Sequence, residues 1–241
     1  MLVHTHILCR GTRVKNIILV LIWVVSAGVF KSAFAYEKGN WVIRAGVANA
    51  SPDASSSSVA LNGGDLGFGV DVDDDTQVGL NFAYFINDKW NVEVLASTPF
   101  SHDIVVNDNP LGLGKLGDVN HLPPSITLNY FFAPSASAFQ PYVGLGINAT
   151  LFFDEEFTAS NQALGFSNLD LDESFGITAQ IGFDYVLTEQ WLLNASVRYI
   201  DISTDATFTL DNPALGADGA EGAVTVDIDP LVTTVSLGYK F

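Results

Sequence analysis

The sequence predicts an all-β fold, a closed eight-stranded antiparallel β-barrel that crosses a membrane, with short turns at one end and long loops at the other. Three observations carry this reading. Mean hydropathy is positive, yet past residue 35 no apolar run reaches the ~20 residues that a membrane-spanning helix needs. Eight segments instead alternate apolar with small or polar residues, which is the period of a strand. The connections between those segments alternate strictly between short and long, as in bacterial outer-membrane barrels.

The N-terminus is set apart first. Arg10, Arg13 and Lys15 precede an apolar run from Ile17 to Phe30, and Ala33-Phe34-Ala35 follows as a small-x-small site. This is the layout of a secretory signal peptide, with cleavage expected before Tyr36. Domains are therefore expected as 1–35, a cleaved signal, and 36–241, a single barrel. Four of the ten basic residues lie in the leader (Arg10, Arg13, Lys15, Lys31) and none of the 27 acidic ones does. The remainder has six basic residues, a formal charge of −21. Such acidity argues against a nucleic-acid partner, because phosphate neutralisation needs clustered Lys and Arg. The single cysteine, Cys9, also lies in the leader. That leaves no intrachain disulfide, thiolate metal site or cysteine nucleophile.

The strands follow in order. Trp41, Ile43, Ala45 and Val47 share a face opposite Arg44, Gly46 and Ala48; Val78, Leu80, Phe82 and Tyr84 lie opposite Gln77, Gly79, Asn81 and Ala83. Trp90, Val92, Val94 and Ala96 oppose Asn91, Glu93, Leu95 and Ser97; Ile126, Leu128, Tyr130 and Phe132 oppose Ser125, Thr127 and Asn129. The second half repeats the pattern. Val143, Leu145, Ile147 and Ala149 oppose Tyr142, Gly144, Gly146 and Asn148; Phe175, Ile177, Ala179, Ile181, Phe183 and Tyr185 oppose Gly176, Thr178, Gln180, Gly182 and Asp184. Trp191, Leu193, Ala195, Val197 and Tyr199 oppose Asn194, Ser196 and Arg198; Leu231, Thr233, Val235, Leu237, Tyr239 and Phe241 oppose Val232, Thr234, Ser236, Gly238 and Lys240.

A soluble sandwich also alternates, so the connections decide. Short ones fall at Asn87-Asp88-Lys89, Ala133–Phe139 and Thr188-Glu189-Gln190; long ones fall near 51–75, 99–122, 152–173 and 203–223. Trp41, Tyr84, Trp90, Tyr130, Phe132, Phe183, Tyr185, Trp191, Tyr239 and Phe241 gather beside the short turns, as an interfacial girdle does. The last residue, Phe241, has the character of the address read by outer-membrane barrel-assembly machinery. Closure follows from solvation, since an unpaired backbone polar group in hydrocarbon costs several kcal/mol.

Among the inward residues, Arg44, Glu93, Asp184, Arg198 and Lys240 carry charge. They read as a lumenal ion-pair network that plugs a narrow barrel, because buried charges persist when paired; a selectivity element is the alternative. Ser101-His102-Asp103 has triad residue types, but neighbours on an extended segment cannot converge on one substrate atom. No enzyme activity is expected, and His102 and His121 are read as loop histidines that hydrogen-bond locally. The acidic runs Asp71-Val72-Asp73-Asp74-Asp75 and Asp170-Leu171-Asp172-Glu173 lack the spacing of a dedicated cation loop. They are read as solvated rims facing the divalent ions of lipopolysaccharide. No metal or cofactor is expected. Ser55–Ser58 and Gly216–Gly222 read as loop tips, mobile and external.

Several motifs lie where barrel physics dictates little: Thr98-Pro99-Phe100 with His102-Asp103-Ile104, Gly112-Leu113-Gly114-Lys115 running to His121-Leu122-Pro123-Pro124, and Pro141-Tyr142-Val143-Gly144. Others are Asp172-Glu173-Ser174-Phe175-Gly176, Trp191-Leu192-Leu193-Asn194 with Val197-Arg198-Tyr199-Ile200-Asp201, and Asp227-Ile228-Asp229-Pro230 leading to Tyr239-Lys240-Phe241. Strand by strand, the chain resembles the outer-membrane protein W family. The resemblance implies a Gram-negative outer membrane, both termini in the periplasm, and lipid and lipopolysaccharide as surroundings. It implies a narrow, largely hydrophobic channel for small apolar molecules, closed toward the periplasm and opening laterally into the membrane. It also implies that some members respond to stress or iron and that some serve as bacteriocin receptors.

Eight strands leave a lumen that side chains nearly fill, so a wide aqueous pore is excluded. Leu66, Phe68, Leu111, Leu113, Leu116, Leu122, Phe152, Phe153 and Phe157 are the expected apolar lining of an entrance. The alternative is a plugged structural or receptor barrel that presents acidic loops for adhesion, phage or bacteriocin contact.

Overall fold

Residues 36–106 and 114–241 are described by the computed structural model. The leader, 1–35, and Leu111 and Leu113 therefore lie outside the described residues. Eight strands form the membrane cylinder: β1 (Trp41–Ser51), β2 (Asp75–Phe85), β3 (Trp90–Ser97), β4 (Ser125–Phe131), β5 (Phe139–Phe157), β6 (Ser174–Val186), β7 (Trp191–Ile200) and β8 (Leu231–Lys240). Each pairs antiparallel with its neighbour in the chain, and β1 pairs with β8 from Val42↔Lys240 to Ser51↔Leu231. No strand edge is left in the cylinder, as hydrocarbon demands.

The faces are inverted relative to a soluble protein. Phe175 and Leu145 on the outside are 76% and 71% exposed, while Arg44 and Glu93 on the inside are 1% and 0%. Outward aromatics meet near the short turns: Trp41 with Tyr84, Trp90 with Tyr130 and Trp191 with Tyr239, each at a ring separation of 4.9 Å. Two of the short turns are built alike. The Asn87 side chain accepts from the Lys89 and Trp90 amides at 2.8 and 3.0 Å. Thr188 Oγ1 accepts from the Gln190 and Trp191 amides at 3.3 and 3.0 Å. Both are Asx- or Ser/Thr-type turns in which a side chain stands in for a backbone acceptor.

At the other end the long connections are not open loops. Phe100–Val106 pairs with Lys115–Leu122, which pairs with the upper part of β5. Val70–Val72 joins the edge of this sheet. A second sheet holds Phe166–Leu171, Ser203–Asn212, Ala217–Asp227 and the short strands near residues 55–65. Ser55 and Ser56 of the expected loop tip pair with Asp227 and Val226, and Gly222 pairs with Leu61. The expectation of loops fails because the alternation persists there with its sense reversed. In Ser203–Asn212, Thr204, Ala206 and Leu210 are buried while Ser203, Asp205 and Thr207 are exposed. Above the membrane a strand behaves as in water, apolar inward and polar outward. The helical structure there includes the one-turn helix Ala159–Ala163, and no helix among the described residues could cross a membrane.

Curvature makes glycine necessary at two inward positions. A Cβ on Gly46 would sit 2.5 Å from Ser236 Cα, and one on Gly146 would sit 2.7 Å from Thr127 Cα. Both clashes are with the backbone of the neighbouring strand, which cannot yield without loosening the ladder. Gly146→Val should therefore abolish the compact form that a closed barrel shows as a heat-modifiable shift on a gel. Leu145→Val, outward and exposed, should keep that shift.

Candidate functional site

The lumen is stratified. At the short-turn end Tyr36, Val42, Ala83, Phe85, Phe131, Tyr142, Val186 and Leu192 form a buried apolar base. Tyr36 stacks on Phe85 at 3.9 Å and meets Phe131 edge-on at 5.1 Å. Sequence reading gave Tyr36 no role beyond a cleavage boundary. Nothing local marks its burial, since it precedes the first alternating segment.

Over this base lies an ionic layer drawn from four strands. Arg44 of β1 donates from Nη1 to Glu93 Oε2 at 2.7 Å. It also donates from Nη2 and Nε to the two oxygens of Asp184, at 2.7 and 3.2 Å. Arg198 of β7 donates to Glu93 Oε1 at 2.7 Å and to Gln180 Oε1 at 2.8 Å. Gln180 returns an N–H to Glu93 at 3.1 Å and another to Asn129 at 2.6 Å. Asn194 and the Tyr36 hydroxyl complete Asp184. Two guanidinium groups and two carboxylates make the layer neutral. Of the expected lumenal charges, Arg44, Glu93, Asp184 and Arg198 meet here. Lys240 does not: it shares their parity but sits at the rim, half-buried near Glu37 and Glu189. Parity fixes the face a residue points to, and height along the strand decides what it meets.

Above the ionic layer comes a neutral polar zone that includes Ser125, Asn148, Thr150 and Thr178. The lining then turns apolar. A cavity of about 300 Å³ lies between the two upper sheets, and 21 of its 24 lining residues are apolar. Leu66, Phe68, Leu116, Phe152 and Phe157, expected at the entrance, line it. Leu122 and Phe153 do not. Leu122 pairs with exposed Leu151, and Phe153 faces outward beside Asn120, while their neighbours His121 and Phe152 turn inward. In a strand adjacent residues cannot share a face, so the choice of both Phe152 and Phe153 had to fail for one of them. Residues not anticipated include Ala206, Phe208, Leu210, Val224, Val226 and Ile228. Their signal was the reversed alternation in 203–228.

Three polar side chains line the cavity: His102, His121 and Thr204. The Thr204 hydroxyl is satisfied, donating to the Asp172 carbonyl at 2.7 Å. The imidazoles are not loop groups but buried and stacked, with centroids 4.9 Å apart and planes 10° from parallel. His102 Nδ1 lies 2.5 Å from the Asp73 carbonyl. His121 has no hydrogen-bond partner among the described residues. Burial is the largest influence on both and lowers their basicity; for His102 the Asp73 carbonyl and Asp73, Asp74 and Asp75 oppose it. His121 is pushed down to about 3, with His102 adding to burial and Asp75 opposing. Strand alternation turns Ser101 and Asp103 away from His102, and Asp103 pairs with Lys115 at 2.8 Å. Among the described residues no three His, Cys, Asp or Glu side chains are placed to hold a metal ion.

The OmpW family model matches residues 37–241. The chain belongs to the OmpW family. Outer membrane protein W of Vibrio cholerae is 42% identical to it, over 86% of this chain and 91% of the relative. The crystal structure of the outer membrane protein OprG from Pseudomonas aeruginosa is 44% identical. It superposes with a TM-score of 0.81 over 86% of this chain and 98% of that one. A more distant relative, at 29% identity over 85% of this chain and 90% of its own length, is the dibenzothiophene metabolism operon protein PahQ of Pseudomonas aeruginosa. The protein is an outer-membrane β-barrel.

Glu93 bridges both arginines, so its loss takes the carboxylate from buried Arg198 and leaves Arg44 with Asp184 alone, a buried layer with one positive charge uncompensated. Glu93→Ala should cost about 3–5 kcal/mol of barrel stability, read from urea unfolding in lipid vesicles, with Glu93→Gln intermediate. His121 stays neutral in the fold but takes a proton near pH 6.5 when unfolded. The unfolded chain thus binds more protons below that pH, and stability falls as pH drops from 7 toward 4. His121→Phe should flatten this dependence by up to about 1.4 kcal/mol per pH unit, measured by the same unfolding titration at each pH.

Proposed function

We propose that the protein admits small apolar molecules at its outer end and releases them sideways into the bilayer rather than through the barrel. One observation carries the reading: an apolar cavity of about 300 Å³ stands above a neutral, fully buried ionic layer. The cavity suits a slender hydrophobic solute, being lined by apolar side chains and of the size at which small-molecule sites begin. The ionic layer and the aromatic base beneath it leave no straight route to the far end. A lateral exit is supported by the strand pairing, because the upper sheets flank the cavity without a shared ladder and the Val70 amide reaches across to Ser56 Oγ by a side-chain hydrogen bond. The relative from a dibenzothiophene metabolism operon fits the same solute class.

A receptor barrel presenting acidic loops has a motive in the exposed Asp71, Asp73, Asp205 and Glu221, but it gives no reason for an apolar cavity. In this reading the leader is removed and the short turns and both termini face the periplasm. Phe241 is offered to the assembly machinery, the acidic rim meets lipopolysaccharide through divalent ions, and no reaction is catalysed.

The test is uptake of naphthalene by intact cells that display the barrel. Expression should raise the initial rate over a vector control. Ala206→Trp, which fills the cavity, should return it to the control, while outward Ala223→Trp should not. Equal uptake with and without the protein would overturn the proposal.

A further inference from the structure

The two histidines are the anomaly of the cavity. Every other lining side chain is either apolar or, in Thr204, already hydrogen-bonded. His102 and His121 are 2% and 1% exposed, and three of their four ring nitrogens have no partner among the described residues. A buried, unpaired polar atom costs free energy that packing does not return, so it persists where something else uses it. Phenylalanine would fill the same space, as neighbouring Phe100 and Phe152 do at 5.5 and 5.9 Å from the His121 ring.

The tautomers define what could bind. A carbonyl only accepts, so His102 Nδ1 carries its proton toward Asp73, and Nε2 is left as an acceptor facing no protein donor. A neutral His121 offers one donor and one acceptor, neither taken. A hydroxyl meets both kinds of atom, since it donates one proton and accepts on two lone pairs. A carboxylate finds no positive charge at this wall, and Asp73, Asp74 and Asp75 stand close by. A hydrocarbon leaves all three nitrogens unused.

Resting on the apolar-conduit reading, we infer that the cavity is a site for neutral, singly hydroxylated apolar molecules, medium-chain alcohols or alkylphenols, whose hydroxyl is held by His102 and His121. The histidines select among solutes that the apolar walls would otherwise admit alike.

The test uses the protein in phosphatidylcholine nanodiscs with ¹⁵N-labelled histidine rings, titrated with 1-octanol, 4-butylphenol or n-nonane. Occupancy is read from the methyl signals of Leu116, Val119 and Val226. One or both hydroxyl compounds should bind roughly tenfold more tightly than n-nonane and shift the ring nitrogens of His102 and His121. Which of them does so separates an aliphatic from a phenolic solute. In His102→Phe and His121→Phe the preference should fall to near one. The wild-type comparison stands even if either variant fails to fold. If n-nonane binds as tightly as both hydroxyl compounds, or the ring nitrogens do not move, the hydroxyl site is overturned and the apolar conduit stands. If none of the three binds, both are overturned.

Discussion

The backbone's need for hydrogen bonds where there is no water sets everything else in this molecule. In hydrocarbon each strand edge must be paired, and the β1–β8 ladder meets that need by closing the sheet. Closing only eight strands makes a narrow cylinder whose interior is filled by side chains. Glycine at 46 and 146 lets neighbouring strands approach, and the remaining space is taken by polar groups that pair across the lumen, with Asn81 Oδ1, Asn91 Nδ2 and Arg198 Nη1 left over among the described residues. The ionic layer follows from this geometry: charges that face inward cannot reach bulk water, so Arg44, Arg198, Glu93 and Asp184 must pair across the lumen.

Above the membrane the constraint lapses. Water can serve an exposed strand edge, so the sheet there splits into two without penalty. The polarity of each strand reverses at the same height: β8 carries Leu231, Val235 and Leu237 outward over Thr234 and Ser236, whereas Ser203–Asn212 turns Ala206 and Leu210 inward. The reversal converts a polar lumen into an apolar vestibule. One topology thus supplies a seal and a hydrophobic chamber in series, with no special loop architecture needed.

This explains what could be read from the residues and what could not. The eight membrane strands were legible because their outward faces are apolar, and the four central charges because inward parity and the need for pairing point the same way. The upper hairpins were not, because Asp205, Thr207 and Glu221 on their outer faces look like loop chemistry, and the inward series is interrupted by Thr204, Ala206, Ala220 and Gly222. The burial of His121 is illegible for a related reason: its surroundings come from Phe100, His102 and Phe152 across strand pairings that only register reveals. Lys240 shows the converse limit, where parity alone names the face but not the height. Tyr36, sealing the base from outside any alternating segment, had no periodic signal at all.

Two features in series govern what the barrel can admit: the apolar chamber and the ionic layer beneath it. Crystals soaked with 1-bromononane would report on both at once through the anomalous signal of bromine. The expected density lies among Phe68, Leu116, Phe152 and Val226, above the Arg44–Glu93 pair. Bromine below that pair, near Phe85 and Phe131, or none in the chamber, would contradict the account.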